Sequence, residues 1–131
     1  MKVLRVRPKH YPEVIDIDCS LESLQKEVEG PIQAVYPWDD EVALICNEEG
    51  KLHDDCMEKL NRTLDGPYGI TVDIIVGTFL IVGLTEDDFG ELLPEFVERY
   101  EKMFHQPRKF VTYTDSEGKA HLYVDYCTPE E

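Results

Sequence analysis

The chain has 131 residues, of which 42% are hydrophobic and 31% are charged, a composition that fits one folded domain and is too short for two. Its formal net charge of −15 disfavours binding to nucleic acids or to anionic membranes, and it is more consistent with a protein partner that has a basic surface or simply with a well-solvated acidic surface. The sequence has no apolar run of the roughly 20 residues that a membrane span needs and no apolar signal segment, so we expect a cytoplasmic protein.

Alternating apolar and polar residues open the chain and predict a β-hairpin over 2–7 and 14–18. The connection between the two strands is rich in turn-forming residues. Paired in this way, the strands place four aliphatic side chains on the core face: Leu4, Val6, Ile15 and Ile17. They place two arginines beside two aspartates on the solvent face: Arg5, Arg7, Asp16 and Asp18.

A short helix follows, with Ser20 as its N-cap and Gly30 as its C-terminal stop. Between these residues, apolar side chains recur at helical spacing. Two strands are then predicted over 32–36 and 42–46, joined by a loop that contains Trp38. We expect Trp38 to cover the core, and contact with a ligand is the alternative.

Residues 54–64 fit a second short helix, on the spacing of Met57, Leu60 and Leu64. The most apolar segment, 72–83, predicts a central strand that is buried on both faces. Gly77 lies in the middle of this segment and predicts a bulge, a bend or a close approach of two backbones.

A longer helix is predicted over 86–104, with Thr85 as its N-cap. Two helical pieces are the alternative, because a glycine and Pro94 interrupt the segment and proline favours the first turn of a helix. The last element is a hairpin with arms over 109–114 and 119–127.

In chain order the predicted elements are β-β-α-β-β-(α)-β-α-β-β. This order indicates an α+β fold with a largely antiparallel sheet, because short hairpin connections join most neighbouring strands. We expect the two main helices to pack on one face of that sheet. We also expect residues 1–131 to form a single domain.

Three blocks carry a resemblance to a known family: Asn-Glu-Glu-Gly-Lys-Leu at 47–52, Asn-Arg at 61–62 and Asp-Ile-Ile-Val-Gly-Thr at 73–78. They resemble the uncharacterised family known as domain of unknown function 3846 (DUF3846). The first block is fairly specific to that family. Softer similarity extends over most of the chain: 1–7, 36–39 and 100–104 with Pro107 and Phe110.

The resemblance implies a gene product of a mobile element, because the family occurs in phages, plasmids and conjugative elements, largely of Gram-positive bacteria. It implies no enzymatic activity that can be transferred to these residues. The chain departs from the family pattern in the longer connection 53–59 before Asn61, so whatever that connection shapes differs here.

The candidate ligand-binding set combines polar residues of these blocks with one tryptophan: Asn47, Glu49, Lys51, Asn61, Arg62 and Trp38. Arg62 is its central member, because a guanidinium can hold a carboxylate or a phosphate through two parallel hydrogen bonds. A structural role is the alternative that we favour, with Asn61 capping a turn and Arg62 in an ion pair with a nearby carboxylate, that of Glu48, Glu49 or Asp73.

The residue types that catalysis needs are clustered only at 53–56, where His53 precedes two aspartates and Cys56. Adjacent positions do not set the geometry of a catalytic site, so we expect no catalytic residues and no cofactor. Cys46, His53 and Cys56 lie close together in sequence, but a structural zinc site usually has four ligands. We therefore expect no metal site.

Taken together, these features favour a non-enzymatic interaction protein that contacts a host or element protein through its acidic surface. The hypothesis assumes that internal ion pairs occupy the scarce basic residues. One alternative is the binding or sequestration of a small nucleotide-like ligand by Arg62 and an aromatic side chain such as Trp38 or Tyr68, and an enzyme is a weaker one. A homodimer formed at an exposed sheet edge is a further option.

Overall fold

The computed structural model describes residues 1–130, which form ten β-strands, two α-helices and three short 3₁₀ helices. The strands are β1 Lys2–Val6, β2 Glu13–Asp16, β3 Ile32–Val35, β4 Val42–Asn47, β5 Leu60–Asp65, β6 Thr71–Val76, β7 Phe79–Leu84, β8 Phe89–Gly90, β9 Arg108–Thr114 and β10 Ala120–Tyr126. The α-helices are α1 Leu21–Val28 and α2 Pro94–Met103, and the 3₁₀ helices are Gly50–Leu52, Cys56–Glu58 and Pro67–Gly69.

Six strands form the main sheet, in the order β2-β1-β7-β4-β3, with the short strand β8 paired to β7. All of these pairings are antiparallel. Strands β5 and β6 form one separate hairpin, and β9 and β10 form another. The predicted α+β class with a largely antiparallel sheet is confirmed.

The two helices lie on opposite faces of the main sheet, which corrects the expectation that they share one face. Leu24 and Val28 of α1 pack against a cluster on one face, whereas Tyr100 of α2 and the adjacent Phe104 pack on the other. The central strands are apolar on both sides, as successive buried residues such as Leu80 and Ile81 show. Each apolar face of the sheet is therefore buried by a different helix.

The N-terminal hairpin forms as predicted, but its register differs. Val3 pairs with Ile15, and Arg5 pairs with Glu13. Arg5 and Arg7 both form ion pairs with Glu13 rather than with aspartates, and Arg5 also reaches Glu27 on α1. This pairing puts Ile15 of β2, and Ile17 just after it, on the α1 face of the sheet, whereas Leu4 and Val6 lie on the other face.

Helix α1 begins where the sequence predicts, since the Ser20 side chain accepts a hydrogen bond from the backbone N–H of Ser23. Its left-handed C-terminal residue is Glu29, with φ of +63°, and not Gly30. Gly30 is required for a different reason. A Cβ at this position would lie 2.6 Å from Nδ2 of Asn47.

The apolar segment 72–83 forms two strands in two different sheets instead of one central strand. β6 belongs to the separate hairpin, whereas β7 lies in the middle of the main sheet with residues 79–83 buried. Gly77 lies between them with φ of +80°, a conformation that glycine adopts without strain. The predicted bend at Gly77 thus lies where the chain passes from the separate hairpin to the main sheet.

The predicted helix over 54–64 is wrong beyond its first turn, because Leu60–Asp65 is strand β5 and only Cys56–Glu58 is helical. Pairing with β6 outweighs the weak helical spacing of this segment. In the predicted helix 86–104, only the second piece forms, and it begins at Pro94. Thr85 closes a tight turn instead, through hydrogen bonds with Asp88.

The C-terminal hairpin is confirmed as β9 and β10, with Gly118 at φ of +81° in its turn. Neither α1 nor α2 combines the length and the apolar character of a helix that spans a membrane, and residues 1–130 contain no other α-helix.

Candidate functional site

A β-bulge in strand β5 positions the most unusual side chains of the molecule. The register with β6 shifts between Leu60 and Arg62, so that Asn61 is the extra residue of the bulge. As a result Asn61, Arg62 and Thr63 are all buried, although a regular strand would expose the middle residue. Asn61 donates hydrogen bonds from Nδ2 to the carbonyl oxygens of Val6 and Gly77, at 2.9 and 2.8 Å.

Arg62 is 2% exposed and links three parts of the fold through backbone carbonyls. Its Nε donates to the carbonyl of Phe104 at the end of α2, at 3.1 Å, and its Nη2 donates to the carbonyl of His10 in the β1–β2 turn, at 2.7 Å. Its Nη1 donates to Oδ1 of Asn61, at 2.8 Å. The contact with Phe104 satisfies a carbonyl that the helix itself leaves without a donor.

Arg62 makes no ion pair with any residue between 1 and 130, which corrects the expectation that it pairs with Glu48, Glu49 or Asp73. Asp73 pairs with Lys51 instead. Burial lowers the pKa of the Arg62 guanidinium to about 10, the nearby Cys127 sulfur acts in the opposite direction, and the charge of Arg108 acts in the same direction as burial. An opposite charge close to Arg62 would favour its charged form.

A cavity of about 250 Å³ lies beside Arg62. We call it the arginine cavity, and it is lined by Trp38, Arg62, Thr63, Leu64, Asp65, Met103, Phe104, Gln106 and Arg108. The sequence analysis did not identify Gln106 or Arg108 as site residues. No local motif marks them, because β9 reaches this position only through the tertiary fold.

Arg108 is the second cation of the arginine cavity. Its guanidinium carbon lies 4.2 Å from the centre of the Tyr126 ring, and Nη2 lies 3.4 Å from the Tyr126 hydroxyl. Arg108 forms no ion pair with the carboxylates of the described chain, residues 1–130. Arg62 and Arg108 thus line one cavity, and Asp65 is the single residue with a carboxylate in its lining.

Trp38 forms the aromatic wall of this cavity and also covers part of the core. Its ring centre lies 4.4 Å from that of Tyr100 and 6.0 Å from that of Phe104. The Tyr100 hydroxyl donates to Oδ2 of Asp40 at 2.7 Å, and Arg99 pairs with the same carboxylate. Burial, together with the hydrogen bond to Asp40, raises the pKa of Tyr100. This network holds the loop of Trp38 on α2.

The structure divides the predicted binding set between two places. Trp38 and Arg62 line the arginine cavity, and Asn61 is buried beneath it. Asn47 and Lys51 line a second cavity of about 130 Å³ between the main sheet and β6. Glu49 is exposed and lines neither cavity. Tyr68, the other aromatic candidate, is 99% exposed and contributes to neither.

In the second cavity, polar contacts tie the predicted residues to the protein itself. Asn47 donates from Nδ2 to the carbonyl of Val28 at 3.1 Å, and its Oδ1 accepts the N–H of Glu49 at 2.7 Å. Lys51 is held by Asp73 at the rim. Burial, helped by the charge of Asp73, raises the pKa of the Cys46 thiol, which disfavours the nucleophilic thiolate form.

His53 lines a different cleft from Cys46, one of about 40 Å³ that Glu29 and Lys59 also line. In the described residues, 1–130, no three side chains of His, Cys, Asp or Glu are arranged to hold a metal ion. The four cysteines within that range are unpaired.

Comparison with known proteins gives one result. The model of a family described as "Domain of unknown function (DUF3846)" matches residues 1–105, which include β5, Trp38 and all of α2. No curated protein and no solved structure matches the chain.

Proposed function

The chain belongs to the DUF3846 family, which brings no defined activity with it, and we propose from its geometry that it is a non-catalytic protein that binds a small nucleotide-like anion in the arginine cavity. One observation carries this proposal. Arg62, buried and without a carboxylate partner among residues 1–130, faces the same cavity as Arg108 and Trp38. This proposal takes the small-ligand alternative of the sequence analysis ahead of the protein-interaction hypothesis.

The charge balance of the cavity supports an anionic ligand. The chain has a net charge of −15, so two arginines with one carboxylate form a local exception. The three other arginines all form ion pairs: Arg5 with Glu13 and Glu27, Arg7 with Glu13, and Arg99 with Asp40. A bound anion offsets the cost of burying the Arg62 charge, and a water-poor site strengthens that interaction.

The donors of Arg62 leave room for one ligand contact. A guanidinium carries five N–H groups, and those of Arg62 meet four acceptor contacts within residues 1–130. One N–H of Nη2 remains for a ligand, and Arg108 adds a second fork. Two guanidiniums suit a phosphate better than a monocarboxylate, because a phosphate presents more acceptor oxygens.

The remaining lining suits the rest of a small nucleotide. Trp38 offers an aromatic face for a planar ring, and Asp65 offers an acceptor for a hydroxyl or amino group. At about 250 Å³ the cavity falls just below the roughly 300–1,000 Å³ that is usual for small-molecule sites, which suits a ligand at the small end of that class.

Binding without catalysis is consistent with where the reactive residue types lie. Cys46 and His53 line different cavities, and neither lines the arginine cavity. We place such a protein in the cytoplasm of cells that carry the mobile elements implied by the resemblance of its sequence blocks. The simplest role of such a protein is then to sequester a nucleotide by binding it stoichiometrically.

Contact of the acidic surface with a basic protein partner stays a prediction beside this proposal. Residues 86–88 are exposed acids that form no ion pair within the described chain, 1–130. Such a surface is also explained by solubility alone. Solubility does not explain the arginine cavity, because it does not require a cation to be buried without a counter-ion.

The ligand proposal is tested by Arg108→Gln, with Lys109→Gln as the matched control. Both variants remove one positive charge from β9, but Lys109 is exposed and lies on the opposite side of the strand from Arg108. We expect nucleoside 5′-monophosphates to bind the wild type, and Arg108→Gln to weaken binding at least about tenfold, or 1.4 kcal/mol. Lys109→Gln changes the affinity less than about twofold.

Fluorescence of Trp38 provides the measurement, because it is the one tryptophan of the chain and lines the cavity. The probes are the four common nucleoside 5′-monophosphates, inorganic phosphate and adenosine, and calorimetry checks the affinities. No saturable response to any probe contradicts the proposal. Equal effects of the two variants contradict it as well, because the binding is then a general attraction to basic residues.

A further inference from the structure

The C-terminal hairpin of β9 and β10 stands apart from the main sheet. Each of its strands has one strand neighbour, so the outer edge of β10 has no partner within residues 1–130. The hairpin lies beyond the segment 1–105 that matches the family. An isolated two-stranded sheet is marginally stable in water, and added strands stabilise it.

The free edge of β10 lacks the usual protection against pairing. Protected edges carry lysine, proline or a bulge, and β10 has seven residues with none of these features. Large side chains on the hairpin are instead exposed to solvent: Val111, Tyr113, Leu122, Tyr123 and Tyr126. An exposed edge of this kind is a template for another strand.

Charge favours a second copy of this chain at the edge. Residues 108–126 contain three basic and three acidic residues, whereas the whole chain carries −15. Two copies repel each other over most of their surfaces, but they meet at this hairpin without a local excess of one sign. Beyond about 8 Å, repulsion from the rest of the chain is screened at physiological salt.

The sequence of β10 is complementary to itself in antiparallel register. Tyr123 is the central residue of Ala120–Tyr126, so pairing about a two-fold axis there aligns all seven residues. In that register His121 of one copy lies opposite Asp125 of the other, and Leu122 lies opposite Val124. Both contacts are favourable, and each occurs twice.

The monomer already holds His121 in a suitable position. Its Nε2 lies 2.7 Å from Oδ2 of Asp115, and its ring stacks on Tyr113 with centres 5.0 Å apart. Nδ1 of His121 has no contact within residues 1–130. Oδ1 of Asp125 accepts the N–H of Tyr126, which leaves Oδ2 available.

We propose that the protein forms a symmetric homodimer through antiparallel pairing of β10 with β10 of a second copy, centred on Tyr123. The two hairpins then form one four-stranded sheet in the order β9-β10-β10-β9. This inference is independent of the ligand proposal, because no residue of β10 lines the arginine cavity.

The first test measures the mass in solution by light scattering during size-exclusion chromatography, at concentrations up to several hundred micromolar. The expected mass is twice the 15.2 kDa of the chain. In the variant Tyr123→Lys, two lysines face each other at the two-fold axis, and we expect the dissociation constant to rise at least tenfold. Val111→Lys is the control, since Val111 is similarly exposed (45% against 53%) but lies on β9, the outer strand of the four-stranded sheet.

The second test reports the register. Tyr123→Cys places two thiols opposite each other at the distance of a disulfide, and we expect rapid covalent dimerisation under mild oxidation. Val111→Cys lies on β9, three strand spacings from its copy in the four-stranded sheet, and forms that dimer no faster than the wild type. A monomer at all concentrations overturns the proposal. So does a dimer that Tyr123→Lys leaves intact, or that Val111→Cys cross-links as fast as Tyr123→Cys, because another surface then forms the interface.

Discussion

Replacement of Arg62 by methionine is expected to lower the free energy of unfolding by about 3 kcal/mol. The substitution keeps most of the side-chain volume but removes the donors for the carbonyls of Phe104 and His10 and for the side chain of Asn61. Each buried acceptor left without a donor costs about 1–3 kcal/mol. The variant no longer buries the charge of Arg62, which offsets part of this loss. The net decrease in the free energy of unfolding is therefore smaller than the sum of the costs of the individual acceptors.

Denaturation by urea at neutral pH measures this effect, and Arg108→Met is the matched control. Arg108 is partly exposed, and its one hydrogen-bond contact, with the Tyr126 hydroxyl, is long at 3.4 Å, so the control loses less than about 1 kcal/mol. The loss of stability in Arg62→Lys falls between those of Arg62→Met and Arg108→Met, since lysine keeps the charge but not the planar fork of donors. A stability for Arg62→Met within 0.5 kcal/mol of wild type would show that Arg62 does not hold the three elements together.

The second large effect is expected for Gly83→Ala in β7, at about 3 kcal/mol of lost stability. A Cβ at Gly83 would lie 2.9 Å from the carbonyl carbon of Glu91 and closer still to its oxygen. These are backbone atoms, so no rotation of a side chain relieves the overlap. The segment cannot easily retreat, because Leu92 is buried and its N–H bonds the carbonyl of Lys2 at 2.9 Å.

Gly69→Ala separates this overlap from the general cost of replacing a glycine. Gly69 has φ of +72° but no atom within 4 Å of the added Cβ. Its replacement therefore costs only the backbone strain, about 1–2 kcal/mol. Thermal and urea unfolding of the two variants provide the comparison. If Gly69→Ala lowers the stability more than Gly83→Ala does, the close approach of the chain at Glu91 does not limit the packing of β7.

Several elements follow from local sequence patterns, which is why they could be predicted. Helix α1 has a capping serine and apolar residues at helical spacing, and the N- and C-terminal hairpins have alternating strands with turn residues between them. These signals act over a few residues, and the structure realises them with small shifts. The shift in the first hairpin matters most, because one residue of register exchanges the two faces of β2.

The candidate site was predicted only in part. Arg62 is predicted as a scarce cation whose guanidinium can hold an anion, and Trp38 as an aromatic loop residue that can contact a ligand, and both line one cavity. The partners of Arg62 were predicted wrongly, because the acceptors are main-chain carbonyls at positions 10 and 104, which carry no sequence signal. Arg108 was missed for a related reason, since it reaches the cavity from a hairpin far along the chain.

Composition and short-range pattern determined the class of this protein: a strongly acidic α+β chain with antiparallel strands, one capped helix and a terminal hairpin. Tertiary structure alone decided where the polar groups converge. It divided one apolar run between two sheets at Gly77, converted a segment of helical spacing into β5, and turned Arg62 inward at a bulge. The physical reason is that local patterns report which face of an element is apolar, whereas the position of a buried charge depends on which distant carbonyls remain to be satisfied.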